Sequence, residues 1–98
     1  MSFEPERIQA IAELLRQVSQ AHREAFEESD GVDPEWAAWF AARLHETLEE
    51  ALGEPPRRPL SEGGLADLLA EAEQEHLITS PGRDWPSYYA EFLIARLL

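Results

Sequence analysis

The sequence contains no cysteine and no lysine. The first absence excludes a disulfide scaffold, a zinc–thiolate site and a cysteine nucleophile. The second removes the amine on which Schiff-base chemistry depends, and none of the serines sits in a nucleophile elbow. Apolar runs are short, well below the ~18–20 residues of a membrane span. The stretch from Met1 to Arg7 has neither the basic nor the apolar region of a secretion signal. Positive charge is scarce too: 20 Asp and Glu face eight Arg, for a net charge of −12 with His neutral. Such a surface repels phosphate backbones and anionic membranes. These absences lead us to expect a cytoplasmic protein that is not an enzyme and carries no cofactor. They also argue against nucleic-acid or membrane partners and favour a protein partner, a basic one by charge.

The chain does have enough apolar material for a core. At 98 residues it fits one domain, 44% of it is hydrophobic, and nine residues are aromatic. Ile8, Ile11, Leu15, Val18, His22 and Ala25/Phe26 recur with helical spacing. Pro5 is placed for a first turn, and Gly31 for a stop. Asp33-Pro34-Glu35 reads as N-cap, first residue and acidic first turn of a second helix. That helix carries Trp36, Trp39, Phe40, Leu44, Leu48 and Leu52 and closes at Gly53. Residues 53–59 hold three prolines, Pro55, Pro56 and Pro59, and read as a stiff linker. Ser61 then caps a third helix, with Leu60 and Leu65 spaced as a hydrophobic staple and a stripe of Leu65, Leu68, Leu69, Ala72 and His76. After a turn at Thr79-Ser80-Pro81-Gly82, Asp84 caps a fourth helix bearing Trp85, Tyr88, Tyr89, Phe92, Leu93 and Leu97. No segment alternates as a strand would.

The two halves can be laid over one another. Residues 11–22 match 65–76 at an offset of 54, pairing Leu14-Leu15 with Leu68-Leu69, Gln20 with Gln74 and His22 with His76. Residues 36–48 match 85–97 at an offset of 49, pairing Trp36 with Trp85, Trp39-Phe40-Ala41 with Tyr88-Tyr89-Ala90, Leu44 with Leu93 and Leu48 with Leu97. Five identities in the first block and four in the second make nine of 25 positions, against roughly two or three by chance in Ala/Leu-rich helices. Resemblance between any two amphipathic helices explains the leucines, but not His, Trp and an aromatic pair in the same order. The expected fold is therefore all-α, a four-helix bundle of two tandem helical hairpins (units 5–52 and 60–98) related by internal duplication. Both His-bearing helix ends and both Trp-bearing helix starts would share one end of it. The run from Asp84 to Phe92, Asp-Trp-Pro-Ser-Tyr-Tyr-Ala-Glu-Phe, and its counterpart Pro34–Ala42 resemble a motif of small bacterial helical proteins to which no activity is attached. The resemblance covers about a quarter of the chain and implies a fold, not a chemistry.

Candidate site residues follow from the repeat. His22 and His76 would occupy equivalent places, each bonded to a loop carbonyl and packed on the Trp that starts the next helix. The competing reading gives them a shared ligand or metal. Glu73-x-x-His76 has the spacing of carboxylate-bridged di-metal bundles, but Ser19 stands where the first half would need its Glu. No metal is expected, and Glu73 with His76 is the weak candidate pair. His45 and Glu49 make an i,i+4 pair that reads as a solvated surface contact, with metal binding as the alternative. The acidic loop Asp30–Glu35 lacks EF-hand spacing. Trp36, Trp39, Trp85, Tyr88 and Tyr89 are either core or an exposed ligand or interface surface. The favoured function is a non-enzymatic, acidic protein-interaction module that self-associates, as a homodimer through an aromatic face or through Ala37, Ala38, Ala41 and Ala42. A small-ligand or metal-binding bundle organised around His22 and His76 is the alternative.

Overall fold

Helix periodicity and capping residues divide the chain into four α-helices in the computed structural model, which describes residues 4–29, 33–57 and 59–98. α1 spans Glu4–Ala25, α2 Trp36–Leu52, α3 Glu62–Thr79 and α4 Trp85–Leu97, with one 3-10 turn at Glu27–Ser29. No strand occurs among the described residues. α1 ends at Ala25, which is exposed; the stop expected at Gly31 and the loop positions Asp30 and Val32 lie outside the described residues.

The helix ends follow local chemistry. Gly53 closes α2 at φ 79°, a left-handed conformation that a Cβ would strain, and its N–H reaches the carbonyls of Glu49 and Glu50. Ser61 caps α3 by accepting the Gly64 N–H at 3.0 Å. Asp84 caps α4 by accepting the Ser87 N–H at 3.4 Å, and it also accepts the Ser87 hydroxyl at 2.9 Å, with Pro86 in the first turn. The start of α2 departs from expectation. Its cap position is Glu35, which makes no side-chain cap bond. Asp33 instead sits one turn earlier, accepting the Glu35 N–H at 3.0 Å and, through its backbone carbonyl, the Trp36 N–H at 3.1 Å.

α1 packs on α2 and α4, and α3 packs on the same two helices. The helices thus follow one another around a four-helix bundle, with α1 and α3 on one diagonal and α2 and α4 on the other. Its radius of gyration, 13.0 Å, is that of a folded chain of this length (about 13 Å for 100 residues). Ile11, Leu15, Leu44, Leu48, Leu52, Leu65, Leu69 and Leu93 are fully enclosed; each contributes roughly 1.5–3 kcal/mol by leaving water. At one end, the linker returns to the close of α4: the Arg57 N–H donates to the Leu97 carbonyl at 2.9 Å and its Nε to the Leu98 carbonyl at 2.6 Å. Arg7 of α1 pairs there with Glu54 at 3.4 Å. The other end gathers the close of α1 and α3 and the start of α2 and α4, and nearly all the aromatic side chains.

Candidate functional site

Each of the three histidines ties its own helix to the connection that follows. His22 Nε2 meets the Asp33 carboxylate at 3.0 Å, and both side chains are nearly enclosed, 7% and 11% exposed. His76 Nε2 donates to the Arg83 carbonyl at 2.7 Å. His45 donates to the carbonyl of Leu60, just before the cap of α3, instead of pairing with Glu49 as its spacing suggested. A loop fastened by a buried, hydrogen-bonded side chain satisfies a polar group that would otherwise be costly to enclose. The carboxyl of Asp33 is held below its ordinary range, chiefly by the hydrogen bond from His22, with the Glu35 N–H adding to it. Asp84 is held low in the same sense, first by Ser87 and then, more weakly, by Arg16, whose guanidinium lies 3.3 Å away.

Around these contacts the rings repeat. His22 packs edge-on against Trp39 at 5.1 Å and tilted against Phe40 at 5.5 Å. His76 packs against Tyr88 at 5.1 Å and Tyr89 at 6.1 Å. Trp36 meets Phe40 at 5.2 Å, and Trp85 meets Tyr89 at 5.1 Å. In each half, then, the histidine rests on the aromatic pair one turn inside the next helix, not on the Trp that begins it.

The two imidazoles themselves share no ring contact or hydrogen-bond partner. Among the described residues, ring contacts lead from one to the other only through Phe40, Trp36 and Tyr89. Among the described residues no three His, Cys, Asp or Glu side chains gather where they could hold a metal, and Glu73 joins no such group with His76.

The residues that do come together are Trp36 and Trp85. They flank Tyr89, at 6.4 and 5.1 Å between ring centres, and with Phe40 and Glu73 they line an open groove of about 250 Å3. Tyr89 and Phe40 form its nearly buried floor, while the two indoles and Glu73 are half-buried. Burial pushes the Tyr89 phenol well above its ordinary value, and the nearby Glu73 carboxylate pushes the same way by opposing a phenolate. Trp39 is screened differently: the Arg43 guanidinium lies 4.5 Å above its ring. Tyr88 has its hydroxyl 3.1 Å from Thr79 Oγ1.

Phe40 reads in the sequence as core stripe alone, and its second role as groove floor has no local signal, whereas Tyr89 stands among the aromatic residues expected either in the core or lining a pocket. Asp33 was hidden by Pro34 and Glu35, which make the same triplet look like a cap. At the close of α3, Leu77 and Ile78 are 61% and 80% exposed. They stand one and two residues past His76, off the buried stripe. Of the four alanines expected to form a face, Ala41 is fully buried and Ala37 half-buried, so only Ala38 and Ala42 are exposed.

No protein-family model matches the chain, and neither does any of the curated proteins or solved structures compared with it. Among the described residues no helix is long and apolar enough to cross a membrane.

Proposed function

We propose that this chain is a non-enzymatic, acidic interaction module that self-associates and meets a basic protein partner, and that it arose by duplication of one helical hairpin. The observation that carries self-association is the exposed pair Leu77 and Ile78, at 61% and 80%. The pair lies at the bundle end where Trp36, Trp85 and Tyr88 are also only half-buried. Burying such side chains against a second copy is worth roughly 1.5–3 kcal/mol each. A single exposed hydrophobe is ordinary, whereas two adjacent ones at an end that also holds half-exposed aromatics support an interface there. Excess acidic charge supports a basic partner through complementary potentials. Duplication is supported by the matching ring contacts of His22 with Trp39 and Phe40, and of His76 with Tyr88 and Tyr89. Membership of the small bacterial helical proteins that share the 84–92 motif, and a cytoplasmic location, belong to the same proposal.

Sedimentation equilibrium tests it. The wild-type chain is expected to dimerise between micromolar and millimolar concentration. The double change Leu77→Ser, Ile78→Ser should weaken the dimer at least tenfold while leaving the helix content intact. A wild-type chain that stays monomeric at about 1 mM overturns self-association.

A further inference from the structure

We propose that the groove between Trp36 and Trp85 is a subsite for an organic cation, filled by an arginine side chain of the basic partner. The inference rests on the basic-partner half of the reading above; self-association draws chiefly on Leu77 and Ile78, which do not line the groove. The groove offers rings on two sides and a floor, Trp36 with Phe40 and Trp85 with Tyr89, and one carboxylate at its edge, Glu73. No arginine or histidine among the described residues pairs with Glu73. Four arginines are engaged with other carboxylates: Arg7 with Glu54, Arg16 with Glu13 and Asp84, Arg83 with Glu91, and Arg96 with Glu71.

The same chain shows how it covers an aromatic ring when it supplies the cation itself. Arg43 lies 4.5 Å over Trp39, and Arg96 lies 4.4 Å over Phe92. Trp36 and Trp85, the pair related by the repeat, have no such cover among the described residues. Backbone dipoles do not decide the sign here, because two helix starts and two helix ends alternate at this end of the bundle and largely cancel. Glu73 therefore decides it, reinforced by a net charge of −12. A planar guanidinium can stack on an indole and donate to a carboxylate at once, which an ammonium cannot do as well. The space, about 250 Å3, falls below the ~300–1,000 Å3 typical of pockets for whole small-molecule ligands. It suits the end of one side chain.

The test is a titration of the 15N-labelled chain with an Arg-Gly-Arg-Gly-Arg peptide amide, and with its citrulline counterpart, which is isosteric and neutral. The indole N–H signals of Trp36 and Trp85 should move saturably with the arginine peptide and much less with citrulline. The Trp39 signal, already under Arg43, should stay nearly still. Glu73→Gln should weaken binding about tenfold, and Trp36→Leu should weaken it by a comparable factor, with helix content checked by circular dichroism. Equal response to both peptides, equal movement of all three indoles, or an unchanged affinity in Glu73→Gln overturns the subsite. Because the signals are read on the dilute chain, loss of the dimer in sedimentation leaves this outcome separately readable.

Discussion

The two hairpins place a histidine in the same ring environment and then fasten it differently. In the first, His22 meets the carboxylate of Asp33; in the second, His76 meets a backbone carbonyl, that of Arg83. The difference follows from loop length. The second connection is five residues shorter, and Arg83, next to the cap of α4, brings its peptide group within 2.7 Å of the ring. Across the longer first connection a side chain does the reaching. One consequence appears at the next helix start: Asp84 caps α4, whereas Asp33 divides its carboxylate between His22 and the Glu35 N–H, and Glu35, at the cap position of α2, makes no side-chain cap bond. The same packing problem, a buried imidazole at the end of a helix, has an ionisable answer in one half and a neutral one in the other.

Removing the histidines breaks the comparison most strongly. His22→Ala leaves a cavity among Phe26, Trp39 and Phe40 and strips Asp33 of its nearly enclosed partner. It should destabilise the fold by about 3 kcal/mol in urea unfolding. His76→Ala opens a space beside two rings and frees one loop carbonyl, and about 2 kcal/mol is expected. A larger loss at His76 would show that the carbonyl contact, not the carboxylate, is the stronger fastening. The double change His22→Ala, Asp33→Asn should cost less than the two single changes added together, because both remove the same contact.

Helix caps give the next, smaller contrast. Asp84→Ala removes the acceptor for Ser87 and a partner of Arg16, for an expected loss of about 1 kcal/mol. Glu35→Ala, at the matching position, removes no cap bond and should change stability by less than about 0.5 kcal/mol in thermal unfolding. Equal losses at the two positions would mean that Glu35 caps α2 in solution.

Much of this was legible because it is local. Ser61, Asp84 and Gly53 announce helix ends by chemistry confined to three or four residues, and the period of 3.6 places Leu15, Leu44, Leu69 and Leu93 in the core. What escaped was non-local. Asp33 carries the local signal of a helix start and does accept the Glu35 N–H, but its second contact, with His22, comes only from the packing of α1 against the loop. Ala41 sits in an alanine-rich run that looks like one small-residue face, yet α1 and α3 flank α2 on two sides and enclose it. The groove is the clearest case. The repeat sets Trp36 and Trp85 at one end of the bundle, but Glu73 lies on a third helix with Ser19 at the matching position, so no spacing along the chain joins it to them.

The smallest effect, and the one that separates the two fastenings chemically, is read in acid. Asp33 has its carboxyl below the usual value of 3.8 because the charged form accepts from His22 and from the Glu35 N–H. A group whose folded-state value is depressed lends stability that is fully present above its unfolded value and is lost as pH falls through the folded one. The first hairpin should therefore loosen at its histidine below about pH 4. The Arg83 carbonyl has no proton to gain, so the corresponding contact of the second hairpin has no carboxylate to lose. Asp84, also depressed, acts there through the cap and Ser87. Thermal melts from pH 5 to pH 2.5 should accordingly show a shallower acid decline in Asp33→Asn than in wild type, with the two curves converging at the acid end. Asp84→Asn should flatten the decline by a separate, roughly additive amount, since Asp84 and Asp33 share no partner. Hydrogen exchange resolves where the change occurs: below pH 4 in wild type the amides of Glu35 and Trp36 should lose protection, and in Asp33→Asn they should be less protected at neutral pH and nearly insensitive to acid. An acid decline that Asp33→Asn leaves unchanged would mean that the carboxylate at His22 contributes no more than the carbonyl at His76, and the two halves would then be equivalent in energy as well as in arrangement.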